Sequence, residues 1–258
     1  MNEWHGDIPT ADGAMNSFVV HPGEGGPHPV VLFYMDAPGK REELHDMARR
    51  LAAAGYCVVL PNLYYRVTRD WWLTERTDEK LAHMRSLMAT LDRRTAECDT
   101  KAMLDFAATL PAADARRVGA VGYCMSGPFV VWAAAASPES FACIASIHGA
   151  RMVTDEPDSP HRWVSRLRCE SYHACAENDV WASREQVETL EAALKAGSAP
   201  YRLEWYPGTE HGFVFPQRAI YQREGAERHW ERLFELFGRC LAEGRQRNDS
   251  GTGDRSAA

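Results

Sequence analysis

Three residues of this chain have the types and the order from which side chains do covalent chemistry: Cys124, Asp179 and His211. Cys124 stands in Val118-Gly119-Ala120-Val121-Gly122-Tyr123-Cys124-Met125-Ser126-Gly127, an apolar strand that runs into a tight turn and then an apolar helix. A nucleophile on such a strained turn needs very small residues two before and two after it, so that strand and helix can pass closely. Gly122 and Ser126 meet that demand, and Pro128 suits a first helical turn, where its missing N–H would be unpaired anyway. Asp179 follows the strand-like Arg168 to Cys175, and His211 follows the strand-like Tyr201 to Tyr206. A thiol beside a strand is by itself more often inert filling. Three sites on three strand ends, in the order nucleophile, acid, histidine, favour chemistry: a thiolate attacks, an imidazole carries the proton and a carboxylate orients the imidazole. Ser126 is a poorer centre for the turn, because Cys124 and Pro128 occupy the places that must be small.

Positioning these groups calls for alternating strands and helices, the signature of a mostly parallel sheet with helices on both faces, an α/β fold. Val30 to Tyr34 reads as a buried strand, and it leads through Met35-Asp36-Ala37-Pro38-Gly39 into a helix with Leu44, Met47, Ala48 and Leu51 on one face and Gly55 as its stop. Cys57 to Leu60 is the next strand, followed by a segment from Pro61 to Arg76 rich in aromatics and arginines. Two helical stretches then run to Leu110. The third strand ends at Cys124, Phe141 to His148 is the fourth, and the segments before Asp179 and His211 are the fifth and sixth. A last helix, about Ala219 to Leu241, carries Ala226, Trp230, Leu233, Phe234, Phe237 and Leu241 on one face. The 258 residues read as a single domain over 1–242, with a polar tail over 243–258 expected to be disordered.

Composition narrows the function. A formal charge of −7 with no basic run argues against a nucleic-acid partner and for a small-molecule substrate. No apolar stretch approaches the ~20 residues of a membrane span, and Met1-Asn2-Glu3-Trp4-His5-Gly6-Asp7 lacks the basic start and apolar core of a signal peptide, so a cytoplasmic protein is expected. Seven widely spaced cysteines without Cys-x-x-Cys speak against a disulfide framework or a structural zinc site. The oligomeric expectation is a monomer or small homo-oligomer.

The Gly-x-Cys-x-Ser-Gly turn, an acid just after the first core strand, the Asn178-Asp179 pair and Pro207-Gly208-Thr209-Glu210-His211-Gly212-Phe213 together resemble the dienelactone hydrolase family, over roughly Phe18 to Leu241. The resemblance implies an α/β-hydrolase fold, a triad of Cys124, His211 and Asp179, and cleavage of a lactone or ester by acyl transfer without metal or organic cofactor. Backbone N–H groups of Met125 and Ala37 would then meet the oxyanion. Similar proteins carry a glutamate near Asp36 that contacts the thiol. Here the acid is one methylene shorter, and it is read either as an auxiliary base or as the carboxylate of an Asx-type turn.

Relatives that cleave dienelactone also hold its carboxylate with arginines, one of them a few residues beyond the histidine. In this chain Val214-Phe215-Pro216 stands there and the first arginine is Arg218. Arg66 and Arg69 are candidate replacements, and Tyr65, Tyr123, Phe213 and Phe215 are candidate pocket residues. Tyr64, Trp71 and Trp72 crowd the same arginine-bearing segment, at a pocket, in the core or at a subunit contact. His148 reads as a structural histidine or a substrate contact. His173 and Cys175 share a strand face without the further ligands a metal needs, and Glu177 and Glu210 either tune His211 or face water. Besides a lactonase, these residues suit a general carboxylesterase or thioesterase, and outside enzymes a non-catalytic ligand-binding or thiol-sensing protein.

Overall fold

A computed structural model of the protein describes residues 1–242. The tail expected to be disordered, 243–258, lies outside the described residues. In chain order the elements are β1 (Asn2–Thr10), β2 (Gly13–His21), β3 (His28–Tyr34), α1 (Glu42–Ala53), β4 (Cys57–Pro61), α2 (Asp78–Met88), α3 (Arg93–Thr109), β5 (Ala113–Tyr123), α4 (Gly127–Ala136), β6 (Cys143–Ile147), β7 (Glu170–Asn178), α5 (Arg184–Ala196), β8 (Tyr201–Glu210) and α6 (Arg223–Cys240). One eight-stranded sheet holds them together in the order β1-β2-β4-β3-β5-β6-β7-β8, parallel from β4 through β8, with β1 and β2 joined antiparallel. This is the mostly parallel α/β sheet expected from the alternation, and the α/β-hydrolase fold that the resemblance implies.

Strands β4 and β6 are buried at every residue, and β3 and β5 become so toward their C-terminal ends, because helices cover both faces. Arg50 at the end of α1 pairs with Glu227 of α6, tying these two helices to each other. The starts of α3 and α5 are set by reciprocal caps, Asp92 with Thr95 and Ser183 with Gln186.

The β1–β2 hairpin was not expected. Its outer strand mixes Glu3, His5 and Asp7 with a single well-buried side chain, Ile8, so it lacks the apolar run that marks the core strands. Charge and Pro9 also suit a sheet edge, where they discourage pairing with another chain. Other boundaries differ from expectation too, and β7 runs on past Cys175 to Asn178. α6 begins at Arg223 rather than near Ala219, and β8 continues past Tyr206 to Glu210.

Parallel pairing collects the strand ends on one edge. Tyr34 of β3 pairs with Gly122 of β5, and Tyr123 pairs with Ile147 of β6, so the residues that follow each strand emerge side by side. That edge is where an open α/β sheet binds its ligand.

Candidate active site

Cys124 sits at the turn between β5 and α4 with φ of 57°, a left-handed conformation that non-glycine residues rarely adopt. The turn folds back so tightly that a Cβ on Gly122 would lie 2.2 Å from the Ser126 carbonyl oxygen, which is why that position must be glycine. The Cys124 carbonyl accepts a hydrogen bond from Ala150 N–H at 2.9 Å, and the Ser126 hydroxyl donates to the Met35 carbonyl. These contacts hold the thiol at the start of the helical segment, where the helix dipole favours negative charge. Ser126 is fully buried in this role, not presented as a nucleophile.

At the far side of the sheet edge, a register shift after Ala176 brings Asn178 opposite Glu210. The next residue of each strand, Asp179 and His211, therefore meet. His211 Nδ1 donates to Asp179 Oδ2 at 2.8 Å, and the other carboxylate oxygen accepts from Trp181 N–H at 2.8 Å. The side chains are nearly sealed, 9% and 1% exposed. Burial works against a charged His211, but Cys124 and Asp179 outweigh it and push the imidazole up to about 10. The charge of His211 is thus favoured by the two neighbours that an imidazole could exchange a proton with or lean on. Its Nε2 is buried without a hydrogen-bond acceptor of good geometry, leaving it available to a reacting group.

The loop after β3 brings Ala37 to the same edge, buried beside Met125. Tyr64 links the two: its hydroxyl donates to the Ala37 carbonyl at 2.8 Å and lies 3.4 Å from the Met125 sulfur. Sequence reasoning left Tyr64 between pocket and core. The signal for its real position is only that it follows β4, the neighbour of β3.

Asp36 is fully buried, and its carboxylate is engaged by two arginines rather than by the thiol. Its Oδ1 accepts from Arg41 Nη1 at 2.5 Å, and its Oδ2 accepts from Arg41 Nη2 at 3.3 Å and from Arg218. Arg41 also bonds Glu43, whose other oxygen accepts from Gln217 N–H at 2.9 Å. Both guanidinium groups lie over the Phe215 ring, at 5.3 and 4.3 Å from its centre. Gly212 makes room for this arrangement, since a Cβ there would meet Arg218 Nη1 at 2.3 Å. The expected roles of Asp36 as auxiliary base or Asx-turn carboxylate are both corrected, because its oxygens are spent on two arginines that clamp the β3 loop to the β8 loop.

The candidate substrate arginines are corrected as well. Arg66 forks onto buried Asp99 at 2.7 and 2.9 Å and reaches Asp12 at 2.8 Å. Tyr65 lies under that guanidinium and bonds Asp99 and Thr10. Arg69 pairs with Asp7 on β1. All three are drawn toward the β1–β2 hairpin, with β2, β4 and β3 between β1 and the β5 end that carries Cys124.

Tyr123, Phe213 and Phe215 are expected at a pocket wall but are 0% exposed. Tyr123 bonds His229 Nε2 at 3.1 Å and stacks on Phe33, while Phe213 packs on Tyr206, so they floor the site from beneath. Glu177 accepts from Gly208 N–H at 2.7 Å and thereby ties the ends of β7 and β8. His173 bonds Ser171 at 3.2 Å, and burial pushes it down to about 4. Among the described residues no cluster of histidine, cysteine or carboxylate side chains is arranged for a metal ion, and no helix is long and apolar enough to cross a membrane.

Residues 15–241 match the family model described as "Dienelactone hydrolase family". The chain belongs to the dienelactone hydrolase family. It is 26% identical over 233 residues to a Synechocystis sp. protein named "Putative carboxymethylenebutenolidase", covering 89% of this chain and 94% of that protein. An Escherichia coli K12 protein of the same name is 27% identical over 237 residues, covering 89% of this chain and 84% of that one. A crystal structure from Klebsiella pneumoniae titled "Putative Dienelactone Hydrolase" superposes with a TM-score of 0.83 at 24% identity, over 92% of this chain and 98% of that one, which shows a shared fold. The turn at Cys124, the Asp179–His211 pair and the β3 loop all fall inside the span that matches the dienelactone hydrolase family.

Proposed function

We propose that this member of the dienelactone hydrolase family is a cysteine-dependent hydrolase of a lactone or ester, acting through Cys124, His211 and Asp179 and a thioester intermediate. The observation that carries the reading is the imidazole of His211, bonded to Asp179 at 2.8 Å and raised to about 10 chiefly by Cys124 against the opposing effect of burial. A thiolate paired with an imidazolium is the form in which cysteine attacks a carbonyl.

In the first half-reaction the Cys124 sulfur bonds to the carbonyl carbon, and the oxyanion takes hydrogen bonds from the N–H groups of Ala37 and Met125. Such a donor is worth about 2.7–4 kcal/mol in the transition state. The carbon–oxygen bond then breaks and the leaving alkoxide takes the proton of His211. In the second half-reaction neutral His211 removes a proton from water, hydroxide adds to the thioester, and the acid leaves as Cys124 returns to thiolate. Asp179 stays ionised throughout and stabilises the imidazolium. For a lactone, alcohol and acid are two ends of one product. These roles call on no metal or organic cofactor, and the cytoplasmic location proposed from the sequence keeps the thiol reduced.

The relatives named carboxymethylenebutenolidase favour a dienelactone-like substrate. A second reading, an esterase for substrates without a carboxylate, is favoured by the arginines: Arg41 and Arg218 are engaged with Asp36, and Arg66 and Arg69 with Asp99, Asp12 and Asp7. Hydrolysis of dienelactone and of a short-chain aryl ester, measured side by side with wild type and Cys124→Ala, separates the two. Higher kcat/KM for dienelactone selects the lactonase, and cleavage of the aryl ester alone selects the esterase. Wild-type rates in Cys124→Ala would remove the mechanism.

A further inference from the structure

His148 is used by neither the triad nor the oxyanion loop, yet it is held in an unusual state beside them. It directly follows β6 with φ of 38°, and such strain in a bulky residue persists only where its surroundings impose it. Its N–H donates to the Ala174 carbonyl at 2.8 Å, and its side chain packs with ring centres 4.9 Å from His211 at 66° between planes. Phe213 and Phe215 close around it at 5.8 and 5.6 Å. The residue is 1% exposed, and neither ring nitrogen has a hydrogen-bond partner in the protein. Nδ1 of His173, 2% exposed, has none either.

Both histidines line a cavity of about 20 Å³ behind the triad, together with Ser146, Cys175 and Asp179. That volume suits one water molecule, and the unpartnered nitrogens of the two histidines offer it partners in a lining that is otherwise largely apolar. The charged and titratable groups facing His148 or its cavity are His211 and Arg218 from the β8 loop, His173, Cys175 and Asp179 from β7 and its end, Tyr123 from β5 and His229 from α6. Burial, then His211 and Arg218, hold His148 well below its usual range, so it stays uncharged while His211 keeps its proton.

A single hydrogen bond from Nδ1 to Asp179 fixes one corner of the His211 ring but not the plane of that ring. A second ring set across it does. Resting on the proposed partnership of Cys124 and His211, we propose that His148 is a positioning residue, anchored through one water to His173, that sets the tilt of His211 and so the line from Nε2 to the Cys124 sulfur.

The test uses His148→Asn, which suits the left-handed backbone and removes the ring, and His173→Leu, which removes the far partner of the water together with the Ser171 bond and leaves the His148 ring in place. Two quantities are read across pH: kcat and KM for an aryl ester, and the rate of Cys124 alkylation by iodoacetamide, which needs no substrate. The expected result is a loss of roughly ten- to hundredfold in kcat for His148→Asn with KM little changed, a displaced alkylation profile, and the same changes in smaller measure for His173→Leu. A folded His148→Asn with wild-type kcat and alkylation profile overturns the proposal, and so does a change confined to KM. Should His148→Asn fail to fold, His173→Leu decides, and wild-type behaviour there overturns the water anchor and the proposal with it. A Cys124 alkylation rate left unchanged by His211→Asn would overturn the pairing of Cys124 and His211 itself, a failure distinct from that of the His148 variants.

Discussion

Two buried carboxylates flank the candidate active site, and they differ in what they hold. Asp179 faces an imidazole, which can gain and lose a proton. Asp36 faces two guanidinium groups, which cannot. Both pairs are short and nearly sealed from water, so geometry and burial do not tell catalytic machinery from scaffold here. The partner's chemistry does: the first pair suits proton transfer, while the second fastens the β3 loop, with Ala37, to the β8 loop, with His211.

Neutralising the two carboxylates in turn should separate these roles most strongly. Asp179→Asn is expected to lower kcat by about 10³–10⁴-fold, because the amide favours the wrong imidazole tautomer, with thermal stability changed far less than activity. Asp36→Asn is expected to act on the fold, since it leaves two guanidinium groups short of a buried partner, a loss of about 3–5 kcal/mol for breaking such a pair. Denaturant unfolding and steady-state rates on both variants check this, and the comparison fails if Asp36→Asn keeps full stability but loses turnover.

Tyr64→Phe probes the link between loop and oxyanion site. Removing the hydroxyl strands the buried Ala37 carbonyl, at a cost of about 1–3 kcal/mol, and should lower kcat more than it raises KM. Equal stability and equal kcat would mean that Ala37 is held without Tyr64.

The pH dependence of stability sharpens the contrast further. The His211 pKa is raised from 6.5 to about 10, with Cys124 and Asp179 opposing burial. Its folded value lies above its unfolded one, so its stabilising contribution is complete below about 6.5 and is lost as pH rises through about 10. The melting temperature should therefore fall over that window in the wild type and fall less in Cys124→Ala, which lacks the sulfur. An identical slope in the two proteins would show that the thiol does not hold the imidazolium.

The smallest effect is expected at Arg69, whose exposed pair with Asp7 lies on the outer strand of the sheet. Arg69→Gln should leave the melting temperature and KM unchanged. A raised KM for an anionic lactone would return Arg69 to the substrate.

What the sequence made legible follows the same division. Cys124, Asp179 and His211 each directly follow a strand, and the small residues around Cys124 and the Asn-Asp and Pro-Gly-x-x-His contexts are local signals. The arginine partners carry no such signal. Arg218 reaches Asp36 across 182 positions, and Arg66 reaches Asp99 across 33, so only the folded chain decides which carboxylate each guanidinium meets. The same holds for Phe215, which reads as a pocket wall in a loop but is buried beneath two cations. β1 escaped because an edge strand open to water has no need of an apolar run, and its partner β2, though buried from Met15 to Val20, mixes Asn16 and Ser17 into a run whose apolar part is only Phe18-Val19-Val20.

The measurement that bears most directly on the central claim is mass spectrometry of the protein quenched during turnover of an aryl ester, with the acyl group mapped by proteolysis. The account predicts an acyl adduct on the peptide carrying Cys124, lost in Cys124→Ala together with turnover. An adduct on Ser126, or undiminished hydrolysis by Cys124→Ala, would contradict it.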